Sequence, residues 1–505
     1  MEKRMETELK LKVAQRDLAK LREHALLAEL AIATPEEHEL RDTYYDTPKL
    51  DLWHNGLTLR VRTDNEAYIQ TVKTASGGSA GLHERGEWES ALAGPAPEPA
   101  EVARQIKTKR IAELLRSPNI VNNLRPVFNN VTRRTRWNIL LPDGRQVECV
   151  LDAGDIHAGG RNAPIGELEF ELKRGDPTQL FELALSLHKD IPLQIANDSK
   201  AARGYALLDI APPAPVKAVP VHLTKKMRLE DALQCMGLNC LQQLEANVPG
   251  VLKQSVESLH QMRVGLRRLR ALLDMFRDIA PLPEPMAESL EWLAGELGAA
   301  RDWDVLAGST LPRIAGLDTG TLRAIAQQRG DELHRTLVQT LYLPRYTQLI
   351  LQLNGWFHGK GWRDGDALPK GSPLALRAAD AMAPLLHKAQ QRLRKRIDAL
   401  DEDNPDARHR VRIAAKKARY AAEFFHDLLP ARPVKKYVRA LSGLQDKLGL
   451  LNDLAVAGTL LGEMEARGPS GELSYARGYV TATAEAESHH LDTALHDIAR
   501  LKIVR

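Results

Sequence analysis

The sequence predicts an α+β protein of two domains, an N-terminal β domain followed by an all-helical domain. Three observations predict this fold class. Short segments of the first half alternate charged with apolar residues, the pattern of strands that bury one face. A proline-rich stretch then interrupts the chain at residues 211–222. The second half shows helical periodicity and contains an internal repeat.

Composition sets the broad class. The 505 residues exceed what one core supports, so two to four domains are expected. With 43% hydrophobic and 27% charged residues, the chain resembles ordinary soluble globular proteins. No apolar run approaches the roughly 20 residues of a membrane span, and the start has no signal-peptide core. We therefore expect a cytoplasmic protein with no membrane partner. The three cysteines include no CxxC pair, which disfavours structural zinc and a disulfide framework.

The strand-like segments of the first half each carry several charges on one face. Because side chains alternate between the two faces of a strand, each segment offers one apolar and one ionic face. The charged members are Glu6, Glu8 and Lys10; Arg60 and Arg62; Glu87 and Glu89; Glu148 and Asp152; and Glu167, Glu169, Glu171 and Lys173. Such alternation is also the pattern of a sheet with one wet face. Carboxylates and cations in these numbers suggest divalent metal ions that hold a polyanion.

The proline-rich stretch marks the boundary between the halves, because its prolines forbid helix continuation and favour an extended spacer. The predicted domains are residues 1–210 and 223–505. Up to Asp209 there are 29 Lys and Arg against 32 Asp and Glu, a net charge of −3; the remainder has 41 against 34, a net charge of +7. The basic excess therefore belongs to the second half.

The second half contains a repeat. Residues 260–276 align without gaps with residues 409–425, and residues 297–305 align with residues 448–456. The matched pairs are His260 and His409, Arg263 and Arg412, Arg267 and Lys416, Arg270 and Arg419, Gly298 and Gly449, and Asp302 and Asp453. On a helix, the spacing of the histidine and basic residues puts them along one face. Two duplicated helical bundles, about 223–370 and 371–505, each with a basic stripe, are the simplest interpretation.

The first half resembles the CYTH, or triphosphate tunnel metalloenzyme, superfamily. Residues 6–10, ETELK, fit the ExExK signature of that family. The resemblance continues in the expected order through Tyr44–Leu52, Leu57–Arg62, Thr71–Lys73, Glu84–Glu89, Val150–Gly154, Glu167–Lys173 and Ser199–Tyr205. The ExExK pattern alone is weak, whereas the ordered set spans residues 1–210 and is specific. The second half is similar to a CHAD domain, a helical module whose paired basic helices recognise inorganic polyphosphate.

The resemblance implies an eight-stranded antiparallel barrel that forms a tunnel, with ionic faces inward and helices over the outer apolar faces. It implies that Mg²⁺ or Mn²⁺ is held there by carboxylates, which hard cations prefer. The implied metal ligands are Glu6, Glu8, Glu87, Glu89, Asp152, Glu167 and Glu169, with Glu171 and Glu148 as further candidates. Lys10, Glu87, Glu89, Asp152 and Lys200 are the implied catalytic residues.

The same resemblance implies a cationic path for the phosphates. Its members are Lys10, Arg60, Arg62, Lys73, Arg134, Arg136, Lys200 and Arg203, of which the last two lie on a terminal helix that closes one end of the tunnel. The resemblance leaves open which arginine of Arg133, Arg134 and Arg136 faces inward. Arg134 and Arg136 are two residues apart, so on a strand they would lie on the same face. In the helical half, the implied polyphosphate-binding residues are His260, Arg263, Arg267, Arg270, His409, Arg412, Lys416 and Arg419.

The function that the resemblance implies is metal-dependent hydrolysis of inorganic tripolyphosphate to pyrophosphate and phosphate, beside a module that holds long-chain polyphosphate. Nucleoside or thiamine triphosphate is an alternative substrate for the same tunnel, and a non-catalytic polyphosphate-binding scaffold is a different class. The basic stripes could also be solvated helix faces, and His260 and His409 packing residues. A nucleic acid partner is disfavoured, because the second half lacks the aromatic interleaving of single-strand binders.

Overall fold

The protein, seen here in a computed structural model, divides into two units. Unit 1 comprises Met1–Pro213 with Pro344–Gly359, and unit 2 comprises Ala214–Leu343 with Lys360–Arg505. The structure describes residues 5–64, 67–74, 82–141, 144–174, 177–208, 214–365, 367–401, 404–468, 470–488, 491, 495, 498 and 501. Of residues 5, 6, 82–85, 174 and 467 only the backbone is described.

The described residues of unit 1 form nine antiparallel strands. The strands are β1 (Met5–Val13), β2 (Glu36–Asp46), β3 (Leu57–Asp64), β4 (Ala67–Thr74), β5 (Leu82–Leu92), β6 (Arg125–Leu140), β7 (Gln146–Ala158), β8 (Arg161–Arg174) and β9 (Leu193–Ile195). They are ordered β5-β4-β3-β2-β6-β7-β8-β1-β9 in the sheet. Strand β1 also pairs with β5, with Met5 opposite Gly86 and Leu9 opposite Leu82.

Eighteen α-helices are described. Those before residue 214 are α1 (Leu18–Arg22), α2 (Ala25–Leu30), α3 (Asp51–His54), α4 (Pro99–Ala103), α5 (Lys109–Arg116), α6 (Pro118–Val121), α7 (Thr178–His188) and α8 (Lys200–Ala206). Those after it are α9 (Leu229–Ala246), α10 (Val248–Leu252), α11 (Val256–Phe276), α12 (Glu284–Val305), α13 (Gly320–Leu341), α14 (Pro344–His358), α15 (Ala378–Asp398), α16 (Pro405–Phe424), α17 (Ala431–Arg467) and α18 (Gly471–Ser488). Helix α14 belongs to unit 1.

The alternation of the strands separates two faces. On the apolar face of β3 and β4, Leu57, Leu59 and Val72 pack with residues of α4, α5 and α6 in one buried cluster. Helix α8 contributes Ala201 and Tyr205 to a second cluster with residues of β2, β6, β7 and β8. Burying the first cluster stabilises the sheet and leaves the charged residues of β3 and β4 on the opposite face. The second cluster lies on the same strand faces as the charged residues, since Tyr44 shares its face with Asp42 and both line the cavity.

The predicted α+β class, with an N-terminal antiparallel sheet and a helical C-terminal region, is confirmed. The predicted number of strands is wrong, because Leu193–Ile195 form a ninth strand beside Leu11–Val13 of β1. Three residues are too few to show an alternating pattern in the sequence. Closure of the sheet into a barrel and duplication of the helical bundles stay predictions.

Unit 2 contains the two repeat segments on helices. The first, from His260, lies on α11, and the second, from His409, lies on α16, and these two helices pack against each other. A buried cluster that includes Leu306, Leu311, Leu461 and Ala476 joins the end of α12 to α17 and α18. In the ranges given above, no helix combines the length and the apolarity that crossing a membrane requires.

Candidate active site

The ionic faces of β1 to β8 line one cavity of about 1390 Å³ in unit 1. Each of these strands contributes at least one charged or hydroxyl side chain. The charged members on the strands are Glu8, Lys10, Asp42, Arg60, Arg62, Lys73, Glu87, Glu89, Arg134, Glu148, Asp152, Glu169, Glu171 and Lys173. Lys200 of α8 joins them, as do Arg104 and Lys107 of the segment between α4 and α5. The cavity wall therefore carries many acidic and basic side chains close to one another.

Lys200 lies at the centre of the densest cluster. Its Nζ is 2.8 Å from Asp152 Oδ2, 2.7 Å from Glu167 Oε2 and 2.8 Å from Glu169 Oε1. Lys10 Nζ also contacts Glu169 Oε1 at 2.8 Å, and it lies 3.2 Å from Glu8 Oε2. The strand register explains this convergence, because Asp152 is directly opposite Glu167 and Lys10 is directly opposite Glu169.

The electrostatics of this cluster favour charged forms throughout. Burial would raise the pKa of Glu169, but Lys10, Lys200 and Arg134 outweigh it and hold that pKa well below its usual range. Burial likewise opposes the low pKa of Asp152, which Arg134 and Lys200 cause. Burial disfavours the Lys200 cation, yet the three carboxylates raise its pKa well above the ordinary lysine value. Asp152, Glu169 and Lys200 are therefore held in their charged forms within a buried network.

Arg60 and Arg62 share one buried carboxylate, Asp42, which the sequence analysis missed. Arg62 Nε donates to Asp42 Oδ1 at 2.7 Å, and Arg60 Nη1 lies 3.3 Å from Oδ2. Burial raises the pKa of Asp42, but the two arginines outweigh it and lower that pKa. Asp42 shares its strand face with Leu40 and Tyr44, so the sequence shows no run of alternating charges there, and only the register places it opposite Arg62.

Strands β4 and β5 carry a second set of cross-strand pairs. Lys73 Nζ lies 2.7 Å from Glu87 Oε1, and these residues are directly opposite each other. Thr71 Oγ1 donates to Glu89 Oε1 at 2.9 Å. At another part of the cavity wall, Lys173 Nζ lies 2.7 Å from Glu171 and 3.5 Å from Glu148. Glu6 is on β1, but its side chain lies outside the described residues.

The structure orients the arginines of β6. Arg134 donates through Nε and Nη2 to the two oxygens of Asp152, at 2.8 and 2.7 Å. Arg136 contacts Glu36 and lies 3.9 Å from Glu148. Arg133 instead contacts Glu37. Arg203 of α8 donates to Glu167 Oε1 at 2.6 Å, so both cations of this helix reach the same carboxylate.

The carboxylates of the cavity offer oxygen ligands of the kind that Mg²⁺ or Mn²⁺ binds. Within the described side chains, no three acids, histidines or cysteines stand as a ready-made metal site. Asp152, Glu167 and Glu169 instead converge on the Lys200 ammonium, which brings an oxygen of each within 2.8 Å of one atom. Clustered carboxylate oxygens are what these hard cations prefer. The donor set therefore fits such an ion if Lys200 moves.

The matched basic residues of α11 and α16 form a second charged cluster, in unit 2. Burial is the main cause of a low pKa at Lys416, about 7, and Arg412 and Arg267 lower it further. Burial also lowers the pKa of Arg263 to about 10, against the opposing effect of Asp302. Cations that depress one another's pKa values are cations held close together.

Other members of the basic stripes have different surroundings. Arg270 pairs with Glu291, and Arg419 lies 3.4 Å from Glu423. His409 Nδ1 contacts Asn452 at 3.0 Å, and burial lowers the pKa of His260. The buried Nε atoms of Arg267 and Arg412 have no hydrogen-bond partner among the residues that the structure describes. The stripes are therefore not uniform, because Arg270 and Arg419 have acidic partners whereas the Nε atoms of Arg267 and Arg412 have no hydrogen-bond acceptor among the described residues.

Comparison with known families assigns the two halves. Residues 4–205 match the model of the CYTH domain, and residues 236–462 match the model of the CHAD domain. This is a CYTH–CHAD protein. The CYTH domain supplies the strands and α8 around the cavity, and the CHAD domain supplies α11 and α16 with their basic residues. The predicted assignment of the first half to the CYTH family and of the second half to the CHAD family is confirmed.

Three known proteins illustrate what the CYTH–CHAD chain is similar to. An inorganic triphosphatase of Haemophilus influenzae is 30% identical over 207 residues, which are 41% of this chain and 56% of that protein. The match thus spans little more than half of that relative. An uncharacterised protein of Mycobacterium tuberculosis is 25% identical over 76% of this chain and 75% of its own. The crystal structure of the CHAD domain from Ricinus communis is 36% identical, with a TM-score of 0.52, covering 58% of this chain and 99% of its own.

Proposed function

We propose that the CYTH domain is a metal-dependent inorganic triphosphatase, which hydrolyses tripolyphosphate to pyrophosphate and phosphate. The observation that carries the proposal is the convergence of Lys10, Lys200 and Arg134 on Asp152, Glu167 and Glu169 inside one cavity. A site that only bound a polyanion would have no use for buried carboxylates. The similarity to an inorganic triphosphatase over the CYTH domain supports the same activity class.

The cavity walls suit a phosphate chain. We infer that the pairing of β1 with β5 closes the first eight strands into the tunnel of the family. Arg60, Arg62, Lys73 and Arg134 then offer guanidinium and ammonium groups to phosphoryl oxygens from several sides. Positioning and charge neutralisation are the main demands of phosphoryl transfer, so this distribution supports the assignment.

Mg²⁺ or Mn²⁺ would be held by Glu8, Asp152, Glu167 and Glu169, with Glu6 from the same strand, and Glu87 and Glu89 as candidates for a second ion. Such an ion supplies charge neutralisation at the phosphoryl oxygens and an activated water. Lys10 and Lys200 would bind oxygens of the substrate once they leave their carboxylates. Arg203 holds Glu167 in place through its 2.6 Å hydrogen bond.

We further propose that the CHAD domain binds long-chain inorganic polyphosphate on α11 and α16. The support is the group of close, mutually destabilised cations, Arg263, Arg267, Arg412 and Lys416. A polyanion would relieve the repulsion among these cations. His260, His409, Arg270 and Arg419 extend the stripe.

A phosphate-release assay over a substrate panel tests the enzymatic proposal. Purified protein is supplied with Mg²⁺ or Mn²⁺ and, separately, with tripolyphosphate, pyrophosphate, ATP, thiamine triphosphate or long-chain polyphosphate. Tripolyphosphate should give the highest kcat/KM, and a chelator should abolish release. Faster hydrolysis of ATP or thiamine triphosphate would assign the tunnel to organic triphosphates, and no hydrolysis of any substrate would leave a binding scaffold.

A further inference from the structure

Helix α14 is part of unit 1, although about 130 residues separate it from the rest of that unit along the chain. It packs on α7 and on β9. Its buried residues lie on nearly every side of the helix and include Tyr346, Leu349, Ile350, Trp356 and Phe357. Helix α14 is therefore largely buried, and α7 and β9 of unit 1 cover part of it.

His188, the last residue of α7, joins α14 to β9. Leu193 N, at the start of β9, donates to His188 Nδ1 at 3.0 Å. Because Nδ1 accepts, the ring proton is on Nε2, which donates to the carbonyl of Pro344, the first residue of α14, at 2.9 Å. The side chain is 8% exposed, so both bonds are shielded from water. One neutral imidazole thus fixes both elements.

Strand β9 leads directly to Lys200. Its residues pair with Leu11–Val13 of β1, and Ala196 N donates to the carbonyl of Lys10 at 3.1 Å. Ser199 then caps α8 by accepting from Ala202 N at 3.1 Å. Only four residues separate Ile195 from Lys200, whose ammonium contacts three carboxylates. The position of β9 therefore determines where the Lys200 side chain enters the cavity.

We propose that α14 and His188 are positioning elements of the tunnel, which hold β9 and, through it, Lys200 in the candidate active site. The proposal rests on the proposed function for its kinetic consequence, but not for its structural one. It means that a helix from the second half of the sequence supports the structure of unit 1. Residues 1–210 thus contain the proposed ligands without containing the whole supporting structure.

The test compares full-length His188→Leu with His188→Gln. Leucine removes both hydrogen bonds, whereas the glutamine amide can accept from Leu193 N and donate to Pro344 O. Hydrogen–deuterium exchange by mass spectrometry measures the order of residues 193–206 without any substrate. His188→Leu should exchange faster in that peptide while β7 stays protected, and kcat for tripolyphosphate should fall about 10- to 100-fold with a smaller change in KM. His188→Gln should restore most of both.

A second variant perturbs α14 from its other end. A Cβ at Gly355 would lie 3.3 Å from Phe181 Cβ of α7, so Gly355→Leu should push the two helices apart without touching His188. It should reproduce the faster exchange of residues 193–206. The matched control is His334→Leu, which removes a similarly buried histidine from unit 2, where His334 contacts Asp304 at 3.1 Å. The control should leave residues 193–206 unchanged.

The outcomes separate the two proposals. Faster exchange in both unit 1 variants, with wild type inactive on every triphosphate, would support the positioning role and contradict the proposed function. Unchanged exchange of residues 193–206 in folded His188→Leu, or the same change in the His334 control, would overturn the positioning role. Equal kcat losses in the leucine and glutamine variants would also overturn it, because glutamine retains the two hydrogen bonds.

Discussion

The charged residues of the cavity act in pairs that face each other across neighbouring strands. Arg134 stands opposite Asp152, Lys10 stands opposite Glu169, and Arg62 stands opposite Asp42. Each ion is thus desolvated beside a partner, and breaking one such buried pair is costly. The alternation of charged and apolar residues indicated which side chains share a face. The alternation did not indicate which residues face each other across two strands, because that depends on strand register. Asp42 was missed for this reason.

Asp42→Asn tests this dependence. The substitution leaves Arg60 and Arg62 buried without their carboxylate, so the free energy of unfolding should fall by about 3–5 kcal/mol. Because the folded pKa of Asp42 is lowered, its stabilisation is present above the unfolded pKa and is lost as the pH falls through the folded value. The destabilisation, measured by urea unfolding at pH 7, should therefore exceed that of the exposed control Glu113→Gln. Equal unfolding midpoints for the two variants would contradict the assignment.

Lys416 should make polyphosphate binding depend on pH. Its pKa of about 7 means that the ammonium is mostly charged at pH 6 and mostly neutral at pH 8. Affinity for long-chain polyphosphate should therefore fall as the pH rises through 7. In Lys416→Arg the charge persists, so the fall should be smaller. Titration at pH 6, 7 and 8 measures this, and identical pH profiles for the two proteins would argue against a contact between Lys416 and phosphate.

At the level of secondary structure, the strands with long charged and apolar alternation were predictable, whereas strand β9 and the place of helix α14 in unit 1 were not. Strands such as β8 alternate over Glu167–Lys173, which specifies both faces. Strand β9 has three residues, too few for a period, and forms because β1 extends beyond its pairing with β5. From its sequence, helix α14 looks like another apolar helix of the helical half. Periodicity shows that a helix is buried, but it does not show against which elements the helix packs.

The buried, neutral His188 side chain predicts that unit 1 becomes less stable at acidic pH. Burial lowers the pKa of His188, with the bond to Pro344 opposing it. An unfolded chain then takes up the proton first, so stability falls as the pH drops below about 6.5, by at most about 1.4 kcal/mol per pH unit. In His188→Gln this contribution is absent. The difference in thermal midpoint between wild type and His188→Gln should shrink from pH 8 to pH 5, and a constant difference would contradict the neutral imidazole assigned here.

At the scale of the whole molecule, the two halves differ in charge and in proposed task. The first half carries a net −3 up to Asp209 and holds the buried carboxylates, whereas the remainder carries +7 and holds the basic stripes. The sequence alone indicated this division, because net charge and repeats need no tertiary structure. Which basic residues remain without close acidic partners was not predictable, since Arg270 and Arg419 meet Glu291 and Glu423 only in the folded chain.

The division of tasks predicts a selective effect of Arg267→Ala combined with Lys416→Ala. Removing two central cations should weaken long-chain polyphosphate binding at least tenfold at low salt, and should reduce the steepness with which affinity falls as salt rises. Turnover of tripolyphosphate should stay within about twofold, because both residues lie on helices of unit 2. Unchanged polyphosphate affinity in the folded double variant, measured at low ionic strength, would contradict the assignment of the stripe.

In the proposed function, metal-dependent hydrolysis of tripolyphosphate takes place at the carboxylate cluster of the CYTH domain. The most direct measurement is ³¹P NMR of tripolyphosphate with Mg²⁺, comparing wild type with Glu169→Gln, which removes one charge and little volume. Wild type should yield equal amounts of pyrophosphate and phosphate, and Glu169→Gln should be at least about 100-fold slower with an unchanged circular dichroism spectrum. Wild-type rates in Glu169→Gln, or no products with either Mg²⁺ or Mn²⁺ in the wild-type protein, would contradict the claim.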